Sequence, residues 1–283
     1  MSGDRANWAY LSRLASGPNH LLWTIIGSVG VEETARRIRT WKGAGEIGGW
    51  PKSRRVDRAA RDLEIIESMG GRFVTPDDID WPAWRMTGCT AQAAANDPLC
   101  VAPLGLWVVG AASLRQLTEN AVAVVGARDC TDYGRQVTTD IVDSLTPQTT
   151  TVVSGGGPGI ENHAHRTALD RKVPTMAVLN SVPGQSVSLE RWDLYRQIAD
   201  GNGLLVSECP PDTVETKQVL LQRNRLIAAL SDAVMVVEAG RRGGVHHTAR
   251  WARKLDRPAV AIPGSVLAEM SVTYHQNTRK KNS

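Results

Sequence analysis

The stretch TVVSGGGPGIENHAHRTAL, Thr151 to Leu169, runs from an apolar β-branched segment through four glycines and a proline into a helical pattern. Glycine between a strand and a helix serves one of two ends. It forms a tight turn, or it leaves main-chain N–H groups open so that an anion can approach the helix start. The same strand-then-helix order extends to both sides of this stretch. Candidate strands are AVAVVGA (121–127), TTVVSG (150–155), PTMAVLN (174–180), GLLVSE (203–208), AVMVVEA (233–239) and PAVAIPG (258–264). Helical patterns separate them: DYGRQVTTDIVDSL, IENHAHRTALDR, SLERWDLYRQIADG, QVLLQRNRLIAALS and GVHHTARWARKL. Short, nearly all-apolar strands joined by helices predict a parallel sheet covered on both faces, a doubly wound α/β domain.

In such a sheet, ligands bind beyond the carboxyl ends of the strands, where the strand order reverses. The chemically distinctive residues of this sequence gather at those ends. The first strand leads to Gly126 and Arg128, the second to Ser154 and the glycines Gly155, Gly157 and Gly159. The fourth leads to Ser207 and Glu208, and the next helix carries Arg223-Asn224-Arg225. The fifth leads to Glu238 and GRRGGVHHT, which places Gly243, Gly244 and Thr248 at a second glycine-rich helix start. Main-chain N–H groups at two helix starts, a Ser154 hydroxyl and the guanidinium forks of Arg128 and Arg225 suit phosphate. They predict a site for adjacent phosphates of a polynucleotide, or for one nucleotide. No G-x-x-x-x-G-K-[ST] sequence is present, which argues against P-loop NTP hydrolysis.

Composition narrows the classes. The 283 residues, 42% apolar and 22% charged, suffice for one large domain or two ordinary ones. No apolar run approaches the ~20 residues a bilayer needs, so a soluble, cytoplasmic protein without membrane contact is expected. Net charge is +4, and Arg279, Lys280 and Lys281 supply three of those charges. The remainder is close to neutral, unlike the strongly basic face of most duplex-DNA-binding domains. Cys89, Cys100, Cys130 and Cys209 form no Cys-x-x-Cys pair, and His163 and His165 are two apart on a helix. Neither a disulfide framework nor a metal site is expected, and no cofactor.

Seven of nine tryptophans precede residue 110, among short helical patterns such as EETARRIRTWK and SRRVDRAARDLEIIESMGG. In the latter, Val56, Ala59, Ala60, Leu63, Ile66 and Met69 recur at helical spacing before a Gly70-Gly71 cap. The tryptophans are read as packing residues rather than as base-stacking platforms. The expected organisation is a helical N-terminal domain and connector over 1–100, the α/β domain over 101–268, and a basic, disordered tail over 269–283.

Together, VAVVGAR with Tyr133-Gly134 downstream, SGGGPGIENHAH, SECPP, RNRLIAALSDAVMVVEAGRRGG and RPAVAIPG resemble the DNA-processing protein A (DprA/Smf) family. VTPDDIDWP and PLCVAPLGLWVVGAASL resemble the family's approach to its Rossmann-like, mostly parallel sheet. The resemblance spans roughly residues 5–265 with order and spacing kept. It implies a homodimeric, cytoplasmic protein that binds single-stranded DNA, protects it and helps load a RecA-type recombinase during DNA uptake and recombination. It also implies DNA contacts at Arg128, at the Ser154–Gly159 loop and at Arg223–Arg225, with Gly126, Tyr133, Gly243, Gly244 and Thr248 around them. The sequence departs from the family at Gly156-Gly157-Pro158, where an arginine is usual, and at Glu161, where aspartate is usual. A closing winged-helix domain is not expected.

The competing enzymatic reading is a nucleotide phosphoribohydrolase of the lysine-decarboxylase-like type. Members of that group resemble Pro-Gly-Gly-x-Gly-Thr-x-x-Glu, but here Trp251 stands three residues after Thr248. Glu161, Glu208 and Glu238 are the other candidate acids, with helix capping or pairing to arginine as their alternative roles. A nucleotide-sensing module using the same pocket is the third reading. The chain is expected to be a binding protein without a catalytic constellation.

Overall fold

A computed structural model describes residues 3–40, 56–89, 93, 97–182, 188–240 and 244–263. The parallel strands fall where the apolar runs predict. They are β3 (Ala121–Val125), β4 (Thr151–Gly155), β5 (Thr175–Val178), β6 (Leu204–Ser207), β7 (Ala233–Val236) and β8 (Ala259–Ala261). The helices that follow them in turn are α6 (Asp132–Asp143), α7 (Ile160–Asp170), α8 (Leu189–Asp200), α9 (Lys217–Ala229) and α10 (Gly244–Lys254). Two further strands, β1 (Gly71–Val74) and β2 (Leu106–Val109), precede these, with α5 (Leu114–Leu117) leading from β2 into β3. Both pair antiparallel and extend the sheet to eight strands in the order β1-β2-β6-β5-β4-β3-β7-β8. Strand Gly71–Val74 lies inside the region read from sequence as helices.

The chain steps outward from β3 through β4 and β5 to β6, then crosses back to lay β7 and β8 on the other side of β3. Order therefore reverses between β3 and β7, and a crevice opens beyond their carboxyl ends. Alternation along the strands divides the core. Leu106, Val108, Ala123, Val153, Leu204 and Val206 pack with α5, α9, α10 and Trp81 on one face. On the other, Trp107, Val109, Ala177 and Leu205 pack with α8 and with the N-terminal helices α1 (Gly3–Ala15) and α4 (Ala59–Ser68), while Val124 and Val152 meet α7. Between α1 and α4 run α2 (His20–Val29) and α3 (Val31–Thr40).

The N-terminal helices sit directly on the sheet. Phe73 and Trp107 stack with ring centroids 4.3 Å apart, and the Trp107 indole N–H lies 3.3 Å from the Ser12 hydroxyl. Trp23 donates to the Ala102 carbonyl at 2.7 Å, and Trp8 to Asp77 at 2.7 Å. Trp8, Trp81 and Trp107 are buried, so these three do the packing expected of them. Trp41 and Trp50, like residues 269–283, lie outside the described residues. Arg85 locks the connector: wholly buried, it forks onto both carboxylate oxygens of Asp232, at 2.7 and 2.8 Å, and onto the Thr118 carbonyl.

Among the described residues no helix is long and apolar enough to cross a membrane.

Candidate functional site

The crevice at the strand-order reversal has a volume of about 430 Å³. Its walls come from the β3–α6 turn (Gly126 to Asp129), from Glu161 on α7, from Leu220, Arg223 and Asn224 on α9, and from Gly240, Gly244 and Val245. A larger cavity of about 580 Å³ lies among the N-terminal helices. Of the four arginines that line it, Arg13 and Arg39 are committed to Asp62 and Asp57, and it shares no lining residue with the crevice at the strand-order reversal, which is therefore the better candidate.

The glycine loop owes its form to close backbone approach. Gly159 has φ +76°, and a side chain there would collide with the carbonyl oxygens of Ala127 and Arg128. That contact presses the start of α7 against the β3–α6 turn, and the Ile160 N–H donates to the Ala127 carbonyl at 3.1 Å. Gly126 lies under Ile160. A side chain on Gly155 would strike the Arg223 guanidinium and the Glu161 carboxylate, so this glycine makes room for an ion pair.

Pairing to arginine is one of the roles read for Glu161 from the sequence; what that reading misses is that this carboxylate sits in the loop's own anion seat. Glu161 Oε2 accepts from the Gly157 N–H at 2.8 Å, and Arg223 reaches its two oxygens at 3.3 and 3.4 Å. The anion seat predicted at the loop exists, and a carboxylate of the chain itself fills it. Burial alone would raise the Glu161 carboxyl, but the Arg223 guanidinium and the Gly157 N–H outweigh it and hold the group below its ordinary range. The signal was available: an acid in the first turn of a helix, after a glycine loop, is placed to meet exposed N–H groups.

Beneath the loop His165 is fully buried, with Nε2 3.0 Å from the Gly155 carbonyl and Nδ1 2.7 Å from the Thr175 hydroxyl. A carbonyl only accepts, so Nε2 carries the proton and Nδ1 accepts from Thr175. Burial pushes this imidazole down to about 4.

The predicted site residues divide into three groups. Gly126, Arg128, Arg223, Asn224 and Gly244 meet at the crevice, with Arg128 exposed at its rim and Gly155, Gly157 and Gly159 shaping the adjoining loop. Asn224 is buried, accepts from Arg223 at 3.2 Å and donates to the Gly244 carbonyl at 3.2 Å, which ties α9 to the start of α10. Four residues, Ser154, Thr248, Arg225 and Tyr133, depart from expectation. Ser154 is buried and its hydroxyl donates to the Val124 carbonyl at 2.5 Å, so it offers nothing to a ligand. Thr248 is buried with its hydroxyl turned back to the Gly244 carbonyl at 3.5 Å.

Arg225 is the largest correction. It has no exposed surface, grips both Glu208 oxygens at 2.6 and 2.7 Å, and donates to the Val101 carbonyl at 2.9 Å. Residues two apart on a helix face different ways, so Arg223 points to the crevice and Arg225 into the core. Tyr133 is exposed on the first turn of α6, outside the crevice lining, and donates to the Pro263 carbonyl at 2.5 Å. Gly243 lies outside the described residues.

The three carboxylates considered for acid–base work are separately engaged: Glu161 with Arg223, Glu208 with Arg225, and Glu238 with the N–H (3.0 Å) and hydroxyl (2.5 Å) of Thr131. Trp251 is buried in the core. Among the described residues no three His, Cys, Asp or Glu side chains are arranged to hold a metal ion.

Comparison with known proteins gives consistent matches. The sequence model described as DNA recombination-mediator protein A matches residues 72–282. A putative DNA processing protein DprA of Mycobacterium tuberculosis is 41% identical over 269 residues, covering 95% of this chain and 69% of that protein. Among solved structures, DNA processing protein A from Streptococcus pneumoniae superposes with a TM-score of 0.69 at 24% identity, covering 97% of this chain and 92% of that one. DNA processing protein A from Helicobacter pylori, whose structure is described for its single-stranded DNA binding mode, gives a TM-score of 0.56 at 28% identity. That match covers 64% of this chain and 81% of the other.

Proposed function

We propose a function for a chain that belongs to the DNA recombination-mediator protein A family: it binds single-stranded DNA across the crevice between β3 and β7. The observation that carries this reading is the position of Arg128, an exposed guanidinium at the rim of a crevice at the strand-order reversal. It stands beside a glycine-rich helix start and a second arginine. A single strand needs a local groove that follows its phosphates, and the near-neutral remainder of the chain does not oppose that. The single-stranded DNA binding mode described for the Helicobacter pylori relative supports the same ligand.

The contacts assigned to DNA are Arg128, Arg223, Asn224, Gly244 and the Gly155–Gly159 loop, with Arg128 making the first phosphate contact. The finer parts of the role rest on family membership: action in the cytoplasm as a homodimer, protection of single strands, and assistance in loading a RecA-type recombinase during uptake or recombination. No acid–base step is assigned to the site.

Titration of the purified protein with a labelled single strand, the corresponding blunt duplex and mononucleotides tests the ligand class. Preference for the single strand, with affinity falling as salt rises, is the expected result. Equal affinity for duplex and single strand, or saturation by a mononucleotide alone, would remove the reading.

A further inference from the structure

We propose that the Glu161 carboxylate is an internal substitute for a DNA phosphate, and that a strand binds the crevice by displacing it from the glycine loop and taking over Arg223. This deepens the single-strand reading of the site and rests on it.

The geometry carries the inference. Glu161 occupies the positions an incoming phosphate needs: it accepts the Gly157 N–H at 2.8 Å and faces both terminal nitrogens of Arg223. Its hold on the arginine is loose. Charge-assisted N–H···O bonds run at about 2.7–2.9 Å, whereas these are 3.3 and 3.4 Å. The Arg225–Glu208 pair on the same helix closes to 2.6 and 2.7 Å. The Arg223 side chain is 7% exposed and Glu161 14%, so the pair forms a crevice wall and is neither free on the surface nor sealed in the core. Nε of each arginine lacks a partner among the described residues, so the two differ in pair length and position rather than in leftover donors.

Charge explains the consequence. Arg128 and Asp129 cancel at the rim, and Arg223 and Glu161 cancel at the wall. An approaching phosphate therefore meets no net positive charge until Glu161 withdraws. Glu161 lies in the first turn of α7 with its side chain partly exposed, so a side-chain rotation outward to solvent, away from the position the phosphate takes, is enough. A backbone phosphodiester brings two non-bridging acceptor oxygens, one for the Gly157 N–H and one for the guanidinium. Glu161 thereby holds down affinity and keeps Arg223 aligned in the empty protein.

The test measures single-strand affinity for the parent, Glu161→Gln, Glu161→Gln/Arg223→Ala and Arg128→Ala, with melting temperature read on each. Glu161→Ala replaces Glu161→Gln if the glutamine variant melts early. Neutralising Glu161 is expected to tighten binding about tenfold, roughly 1.4 kcal/mol, and the gain is expected to vanish when Arg223 is also removed. If Glu161→Gln binds no tighter than the parent while Arg128→Ala still weakens binding, displacement is wrong and the site reading stands. A gain that survives loss of Arg223 is only a long-range charge effect and overturns the proposal. If the parent binds no single strand at all, the reading of the site fails and the displacement falls with it.

Discussion

Two faces of one helix show how the same chemistry gives opposite results. On α9, Arg225 faces the core and Arg223 the crevice, each paired with one glutamate. The core pair is short and sealed, with one terminal nitrogen of Arg225 reaching both Glu208 oxygens and the other donating to the Val101 carbonyl, so it fastens the connector before β2 to the parallel sheet. The crevice pair is longer, partly open and shared with a loop amide. A guanidinium–carboxylate pair is therefore a strut where water is excluded and its contacts are short. It is an exchangeable wall where one side faces solvent.

The largest expected effect breaks the core side of this comparison. Arg225→Ala leaves the Glu208 carboxyl buried without its partner, and unfolding by denaturant is expected to show a loss of about 3–5 kcal/mol. Replacing both residues, Arg225→Met with Glu208→Leu, is expected to recover most of it. A loss below about 1 kcal/mol for Arg225→Ala would mean that the strut does not exist.

Next in size is a pH effect beneath the loop. His165 has its pKa lowered to about 4 by burial, against about 6.5 unfolded. The unfolded chain thus binds the extra proton first, and stability is full above about pH 6.5. It falls as pH drops toward 4, by about 3 kcal/mol from this residue. Glu161, held low by Arg223 and Gly157, adds a further loss below the ordinary carboxylate range. Melting temperatures between pH 7 and 4 check this, and His165→Gln is expected to flatten the upper part of the profile. An unchanged slope in that variant would place the titration elsewhere.

Gly159→Ala comes third. It forces a side chain into the left-handed region and against two carbonyl oxygens, at a cost of about 1–3 kcal/mol. A variant melting within a degree of the parent would show that the two loops are not pressed together there.

Much of this was legible in the sequence, for physical reasons. Parallel strands buried on both faces read as unbroken apolar runs, so β3 to β8 and their helices stand out. β1 does not: Gly71–Val74 is four residues with an arginine in it, and only its pairing with Leu106–Val109 makes it a strand. The crevice was legible because ligand sites in this topology follow from strand order, and Gly126, Arg128, Arg223 and Asn224 meet there. Arg225 was misplaced because three polar residues in a row conceal which one faces inward. Helical spacing separates Arg223 from Arg225, but only Glu208, distant in sequence, decides which is buried. Ser154 was misread for a similar reason: a strand-end hydroxyl is equally suited to a ligand or to the neighbouring Val124 carbonyl.

The smallest expected change in stability belongs to the residue that carries the central claim. Arg128 is exposed at the crevice rim, so Arg128→Ala is expected to alter stability by less than about 0.5 kcal/mol. Single-strand affinity and melting temperature, measured on that one variant beside the parent, test the account most directly. The account predicts unchanged melting with affinity reduced about tenfold, and a log–log salt dependence shallower by about 0.7, one phosphate contact. Unchanged melting with unchanged affinity would contradict it, and would place the DNA away from the strand-order reversal.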